Sequence, residues 1–170
     1  MTTAVTFIFS SKHTPTRNQN GGIACIPAIP ATPALYVIRN KDQPAHVYAG
    51  TSSNAKQRFS GRLEVYRESG LPDAVLARVR FYLIKVKIDD QSKAVNDVGT
   101  INTAGGLIDV ESLFIRSIVA RAHCNVYNIA KWQGFQNPFN ERLDVEFEGF
   151  PNSTGYFIPA NFHVNKNLAF

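Results

Sequence analysis

Cysteine and charged residues are both scarce in this sequence of 170 residues. The two cysteines, Cys25 and Cys124, lie far apart and form neither a Cys-x-x-Cys pair nor a Cys/His ligand spacing. This spacing argues against a zinc site and leaves open a disulfide, although a reducing compartment is the simpler expectation. Only 18% of the residues are charged, so the net charge of +5 reflects few acids as much as many bases. Such a balance suits an anionic partner without identifying one.

Long apolar runs are also missing. The first one, at residues 5–9, is short, and Lys12 and His13 follow it closely. A membrane-spanning helix needs about 20 apolar residues, and a secretory signal carries a basic segment before its apolar one. We therefore expect a cytoplasmic protein without a membrane partner. The length is that of one domain, so residues 1–170 are expected to form a single domain.

The order of apolar, turn and capping residues predicts a mixed α/β (α+β) fold. Turn residues 40–44 join two β-rich segments in a hairpin. Apolar residues at helical spacing predict two helices, the first capped by Ser52, Ser53 or Asn54 and the second by Asp109. Strands are predicted at residues 5–9, 34–39, 45–49, 78–88, 143–147 and 156–159, helices at 54–69 and 109–122, a helical turn after residue 73, and loops at 14–22 and 89–106.

Four polar side chains stand out by their placement. Tyr36 belongs to the first strand of the predicted hairpin and Tyr48 to the second, where Gly50 follows. Arg58 lies on the next helix, and Glu111 stands at the head of a mostly apolar stripe on the later helix. A carboxylate in such a stripe needs a partner, which a metal ion or the amino-terminal helix dipole can supply.

The order of these residues resembles the core of the GIY-YIG endonuclease superfamily. In that family a Gly-Ile-Tyr strand is followed by a Tyr-Ile-Gly strand, a helical arginine, a glutamate on a later helix and an asparagine. The matching residues of this chain are Tyr36, Tyr48-Ala49-Gly50, Arg58, Glu111 and Asn125. Two departures concern packing residues, since Ala34 and Leu35 replace the first Gly-Ile and Ala49 replaces the second isoleucine.

The resemblance implies a nuclease core over residues 33–128, built on a three-stranded, mainly antiparallel sheet flanked by helices. Residues 1–32 and 129–170 would be extensions packed on this core. The implied activity is metal-dependent hydrolysis of phosphodiester bonds by water, with DNA favoured over RNA by family precedent. A restriction enzyme, a phage or mobile-element nuclease, a repair enzyme and a toxin all fit, and the sequence preference and oligomeric state stay open.

The family's roles carry over to the matching residues. Glu111 would hold Mg²⁺ or Mn²⁺ together with waters and phosphate oxygens. Tyr36 would activate the attacking water with Tyr48 beside it, although the two roles can be exchanged. Arg58 would bind the scissile phosphate. The residues expected to contact DNA share one helix: Lys56, Arg58 and Arg62.

Two further roles follow from the resemblance. Asn125 would tie the active-site loops together by hydrogen bonds, with Asn128 as a competing assignment. The position of Arg62 usually holds His or Tyr in the family, which argues against a general base on this helix, and His46 would be the substitute proton carrier. The other histidines show no partner spacing and are expected at the surface or in packing: His13, His123 and His163.

Each of these residues also has an ordinary explanation. The helix dipole favours an acid such as Glu111 in a first turn, and tyrosines in a hairpin pack across the strands. Arg58 fits a solvated helix face, and Asn125 fits a helix end. Two other functions therefore also fit the sequence. One is a catalytically inactive nucleic-acid-binding module of the same fold, and the other is an interaction domain in which the spacing is coincidental.

Overall fold

The computed structural model describes residues 2–17, 19–20, 23–24, 29–121, 125–126, 135–149 and 156–162. Strands predominate over helices in this part of the chain, which confirms the mixed α/β class. The strands are β1 (Thr2–His13), β2 (Thr16–Arg17), β3 (Ile23–Ala24), β4 (Ala34–Asn40), β5 (Gln43–Ser52), β6 (Val79–Ile88), β7 (Gln91–Lys93), β8 (Thr100–Thr103), β9 (Gly106–Asp109), β10 (Asn125–Val126), β11 (Arg142–Glu148) and β12 (Tyr156–Ile158). The helices are α1 (Ala55–Glu68), α2 (Asp73–Leu76) and α3 (Val110–Arg121).

The main feature of the described residues is a mixed sheet of eight strands. Seven lie side by side in the order β10-β5-β4-β6-β1-β11-β12, and β7 pairs with β6. Neighbouring strands are antiparallel except in the β10–β5 and β1–β11 pairs. The segments predicted as strands at residues 34–39, 45–49 and 78–88 are β4, β5 and β6, which are adjacent and antiparallel in this sheet. The sheet is larger than predicted because β1 and β11, near the two ends of the chain, add strands next to β6.

A hydrophobic core fills each face of this sheet. One core joins α3 to Leu35 and Val37 of β4, and the other joins α1 and α2 to Tyr36 of β4 and Phe81 of β6. Successive strand residues point to opposite faces, so Tyr36 packs on the α1 side while both its neighbours pack on the α3 side. The sheet therefore separates α1 from α3, and a site that uses both helices has to lie at a sheet edge.

Both predicted helix caps are confirmed. Asn54 Oδ1 accepts a hydrogen bond from the Gln57 amide at 2.9 Å, which identifies Asn54 as the cap of α1. Asp109 Oδ1 accepts one from the Ser112 amide, also at 2.9 Å, at the start of α3. Within the described part of the chain, no helix has the length and apolar character needed to cross a membrane.

Two of the predicted loops contain short strands. The segment 14–22 includes β2, which pairs with β3, and the segment 89–106 includes β7 and β8. A two-residue turn joins β6 to β7, and its residues Asp89 and Asp90 have φ of 48° and 64°. Positive φ at both positions is typical of a type I′ hairpin turn. The loop prediction was wrong for these strands because each has only two to four residues, too few to show an alternating pattern.

Candidate active site

Tyr36 and Gly50 lie opposite each other in the β4–β5 pair. The Tyr36 side chain leans across Gly50, so that a methyl group at Gly50 would lie 3.2 Å from the Tyr36 hydroxyl oxygen. Glu111 reaches the same place from α3, with its Oε1 atom 3.4 Å from that methyl position. The hydroxyl and the carboxylate therefore border the same space above Gly50, and the missing side chain of glycine leaves room for both.

Glu111 is held by β5 as well as by its own helix. The amide of Thr51 donates to Glu111 Oε1 at 3.3 Å, and the Thr51 hydroxyl donates to Oε2 at 3.0 Å. The Glu111 amide donates to the carbonyl oxygen of Gly99 at 3.2 Å. Only 7% of Glu111 is exposed. Burial of a carboxylate is costly unless the oxygens accept hydrogen bonds, so Thr51 makes this position possible for an acid.

The loop before β8 forms a wall beside Glu111. Asn96 closes this loop, because its Oδ1 accepts hydrogen bonds from the amides of Val98 at 3.1 Å and Thr100 at 2.9 Å. Gly99 has a φ of +79°, and a methyl group there would lie 2.9 Å from Glu111 Cβ and 3.0 Å from Oε2. Both the backbone conformation and this contact require glycine. The wall thus encloses the Oε2 side of the carboxylate.

The two tyrosines form a hydrogen-bonded row with Arg62. The rings of Tyr36 and Tyr48 stack with centroids 6.3 Å apart, and their side chains are hydrogen-bonded. Arg62 Nη2 donates to the Tyr48 hydroxyl oxygen at 2.5 Å. Burial raises the pKa of Tyr36 well above its ordinary value, and Tyr48 raises it further, against the opposing charges of Arg58 and Arg62. Tyr36 therefore keeps its proton at neutral pH and acts as a hydrogen-bond donor.

An open groove of about 530 Å³ runs beside α1. Arg58 and Arg62 both line it, together with the polar side chains of Ser53 and Gln57. Arg58 is exposed and Arg62 is half-buried, and the two lie one helical turn apart. Two guanidinium groups on one wall attract an anionic chain to the groove.

The amino-terminal end of α1 adds little to this attraction. The Ala55 amide donates to the Thr32 carbonyl oxygen at 3.2 Å, and the Lys56 amide donates to that of Pro30 at 3.3 Å. These donors are the ones that a helix otherwise offers to an anion. The Lys56 side chain is exposed but does not line the groove. Anion binding in the groove therefore depends on the two arginines.

The structure brings together five of the predicted site residues: Tyr36, Tyr48, Arg58, Arg62 and Glu111. Asn125 and His46 are paired in the β10–β5 register, but their side chains lie outside the described part of the chain. Asn128, His123 and His163 also lie outside it. His13 is on β1, where its Nε2 atom is 3.2 Å from Ser11 Oγ.

Two residues of the site escaped prediction from sequence. Thr51 follows the Tyr-x-Gly triplet directly, and no feature of the sequence marks it as the partner of Glu111. Gly99 lies in a segment that was predicted only as a loop. A glycine in a polar loop is too common to signal a close contact. Both contacts depend on how α3 packs against β5.

Glu111 and the nearby hydroxyls fit a hard divalent cation. No group of three or more His, Cys, Asp or Glu side chains that could hold a metal occurs among the described residues. Mg²⁺ commonly takes one or two carboxylates and completes its coordination with waters and substrate phosphate oxygens. A single buried carboxylate such as Glu111 suits that mode of binding, whereas a structural zinc ion needs four protein ligands.

Comparison with known proteins assigns no family to the chain. No protein-family model, curated protein or solved structure matches it. The placement of its own side chains therefore carries the functional inference.

Proposed function

We propose that the protein is a metal-dependent endonuclease that hydrolyses phosphodiester bonds in DNA. The observation that carries this proposal is that Tyr36 and Glu111 both border the space above Gly50. Arg62, which lines the groove with Arg58, donates a hydrogen bond to Tyr48 beside Tyr36. Phosphodiester hydrolysis needs a carboxylate for a cation, a polar group for water and a positive charge for the phosphate. Side chains of all three kinds lie together here.

The proposed core consists of β4, β5, α1, β6 and α3. These elements carry all the matching residues except Asn125, and the resemblance to GIY-YIG nucleases implies such a core. The strands β1 and β11 extend the sheet on the side away from β5. We propose that they support the core rather than contribute to the chemistry.

Glu111 is assigned to hold Mg²⁺ or Mn²⁺ in this proposal. The ion, when bound, would place positive charge beside the phosphate and make a neighbouring water easier to deprotonate. Arg58 is assigned to the scissile phosphate, because its exposed guanidinium lines the groove and can bind two phosphate oxygens at once. Its charge would offset the negative charge that develops in the transition state.

The two tyrosines receive different roles. Tyr36 is 1% exposed and keeps its proton, so it donates a hydrogen bond that orients Tyr48. Tyr48 is only half-buried, and the Arg62 guanidinium can offset negative charge on its oxygen. We therefore assign proton acceptance to the Tyr48 oxygen. In the proposed step the Tyr48 hydroxyl would release its own proton to solvent and take the proton of the attacking water as the water oxygen bonds to phosphorus. The ester bond to the leaving oxygen breaks, and that oxygen takes a proton from solvent.

A supercoiled plasmid provides the test of the proposed activity. The protein is incubated with plasmid in Mg²⁺, in Mn²⁺ and in EDTA, and with an RNA of matching sequence in parallel. The expected result is nicked or linear DNA with either ion and intact plasmid with EDTA. DNA binding without cleavage in either ion would instead identify an inactive binding module, and no DNA affinity would identify an interaction domain.

A further inference from the structure

We propose that Thr51 is a positioning residue that engages Glu111 Oε2 and presents Oε1 as the single carboxylate oxygen for the divalent cation. This inference rests on the proposed nuclease function. It concerns how the acid binds the ion and which ions the site accepts. Thr51 would act through Glu111 and would not touch the substrate.

The two carboxylate oxygens of Glu111 have different surroundings. Oε2 accepts the Thr51 hydroxyl at 3.0 Å, and the backbone of Gly99 stands beside it, since a methyl group there would approach Oε2 to 3.0 Å. Oε1 accepts the longer hydrogen bond, 3.3 Å, from the Thr51 amide and lies on the Gly50 side with the Tyr36 hydroxyl. The two oxygens of Glu111 therefore differ. Oε2 is enclosed by the Thr51 hydroxyl and Gly99, whereas Oε1 faces the space above Gly50.

This asymmetry has a consequence for metal choice. Mg²⁺ and Mn²⁺ bind single carboxylate oxygens in compact octahedral geometry, whereas Ca²⁺ accepts a carboxylate through both oxygens. A carboxylate whose Oε2 atom accepts the Thr51 hydroxyl and is enclosed by Gly99 disfavours the second mode. The site is therefore expected to prefer Mg²⁺ and Mn²⁺ over Ca²⁺, and the Thr51 hydroxyl is expected to contribute to that preference.

Mn²⁺ binding to the intact protein, followed by electron paramagnetic resonance of the free ion, tests this role without relying on cleavage. Thr51→Val removes the hydroxyl and keeps the side-chain shape, while Thr51→Ser keeps the hydroxyl. We expect Thr51→Val to weaken Mn²⁺ binding by about 10-fold, as the loss of a hydrogen bond to a ligating group does, and Thr51→Ser to restore it. Calcium should compete for the site more effectively in Thr51→Val than in the parent protein.

Thr103→Val is the matched control, because its hydroxyl donates to the Gly106 carbonyl oxygen in another hairpin. If Thr51→Val misfolds, as judged by circular dichroism, Thr51→Ala removes the hydroxyl without adding a branched apolar side chain. Unchanged Mn²⁺ affinity and calcium competition in the folded variant would overturn the role of Thr51. If the parent protein and Glu111→Gln bind Mn²⁺ equally, the metal assignment itself fails, which is a different outcome.

Discussion

Arg62 Nη2 donates a hydrogen bond of 2.5 Å to the hydroxyl oxygen of Tyr48, and its guanidinium carbon lies 4.3 Å from the centre of the same ring. The sequence predicted Arg62 only as a DNA contact. It occupies the position where the family usually has a His or Tyr that can carry a proton. The contact with Tyr48 gives it a further role, because a guanidinium at this oxygen both orients it and offsets negative charge there. Tyr36, on the other side, completes the row.

The Arg62–Tyr48 contact predicts strong coupling between the two side chains. Tyr48→Phe should lower the single-turnover cleavage rate by about 10²-fold, the usual size of a lost proton acceptor. Arg62→Ala should lower the rate as well, and the double variant should be little slower than Tyr48→Phe alone, since both changes disable one unit. Additive losses in the four rates would mean that the two residues act separately.

Arg58 is predicted to act in the transition state rather than in binding. Arg58→Ala should lower the single-turnover rate at saturating DNA by about 10²-fold, as the loss of an oriented charge donor does. Arg67→Ala is the matched control, because Arg67 also lies on α1 but pairs with Glu64 at 2.7 Å. A defect in Arg58→Ala that disappears at high DNA concentration would assign this arginine to binding alone.

Gly50→Ala tests the space shared by Tyr36 and Glu111. The added methyl group would stand 3.2 Å from the tyrosine hydroxyl oxygen, closer than ordinary packing allows. The hydroxyl must then shift by a fraction of an ångström, which should cost roughly 10-fold in cleavage rate, given how steeply rates depend on alignment. The free energy of unfolding should change by only about 1 kcal/mol. An unchanged rate would show that the chemistry does not use this space.

Burial of Tyr36 predicts a loss of stability in alkali. Its pKa is raised in the folded protein, whereas the unfolded chain releases this proton near pH 10. The stabilising effect of the raised pKa is therefore complete below about pH 10 and is lost as the pH rises further, at up to about 1.4 kcal/mol per pH unit. Urea unfolding of the parent and of Tyr36→Phe between about pH 8 and pH 11 measures how much unfolding free energy each protein loses as the pH rises. The parent should lose more unfolding free energy than the variant, and parallel losses would contradict this assignment.

Local features of the fold were predictable from the sequence, whereas long-range pairing was not. Asn54 and Asp109 begin helices because their side chains satisfy amides two or three residues away, a property that the sequence displays directly. The position of β1 depends instead on pairs such as Val5 with Ile88. Periodicity identifies a strand but not its neighbour, so the enlargement of the sheet could not be foreseen.

The candidate site was likewise predictable in its local features but not in its long-range contacts. Tyr36 and Tyr48 lie near each other because both belong to one hairpin, whereas the position of Arg58 depends on how α1 packs on the sheet. The approach of Glu111 to Gly50 depends on the packing of α3 against β5. The contact of Thr51 with Glu111 arises from that same packing and has no counterpart in the sequence pattern.

Single-turnover cleavage of DNA by Glu111→Gln in Mg²⁺ is the most direct measurement. The substitution keeps the size of the side chain and removes the negative charge that would hold the ion. Glu68→Gln, which changes an exposed acid at the end of α1, is the control. We predict that cleavage by Glu111→Gln falls to the level seen in EDTA while its fold and DNA affinity are retained. Cleavage by Glu111→Gln at a rate close to that of Glu68→Gln would contradict the proposed metal-dependent nuclease.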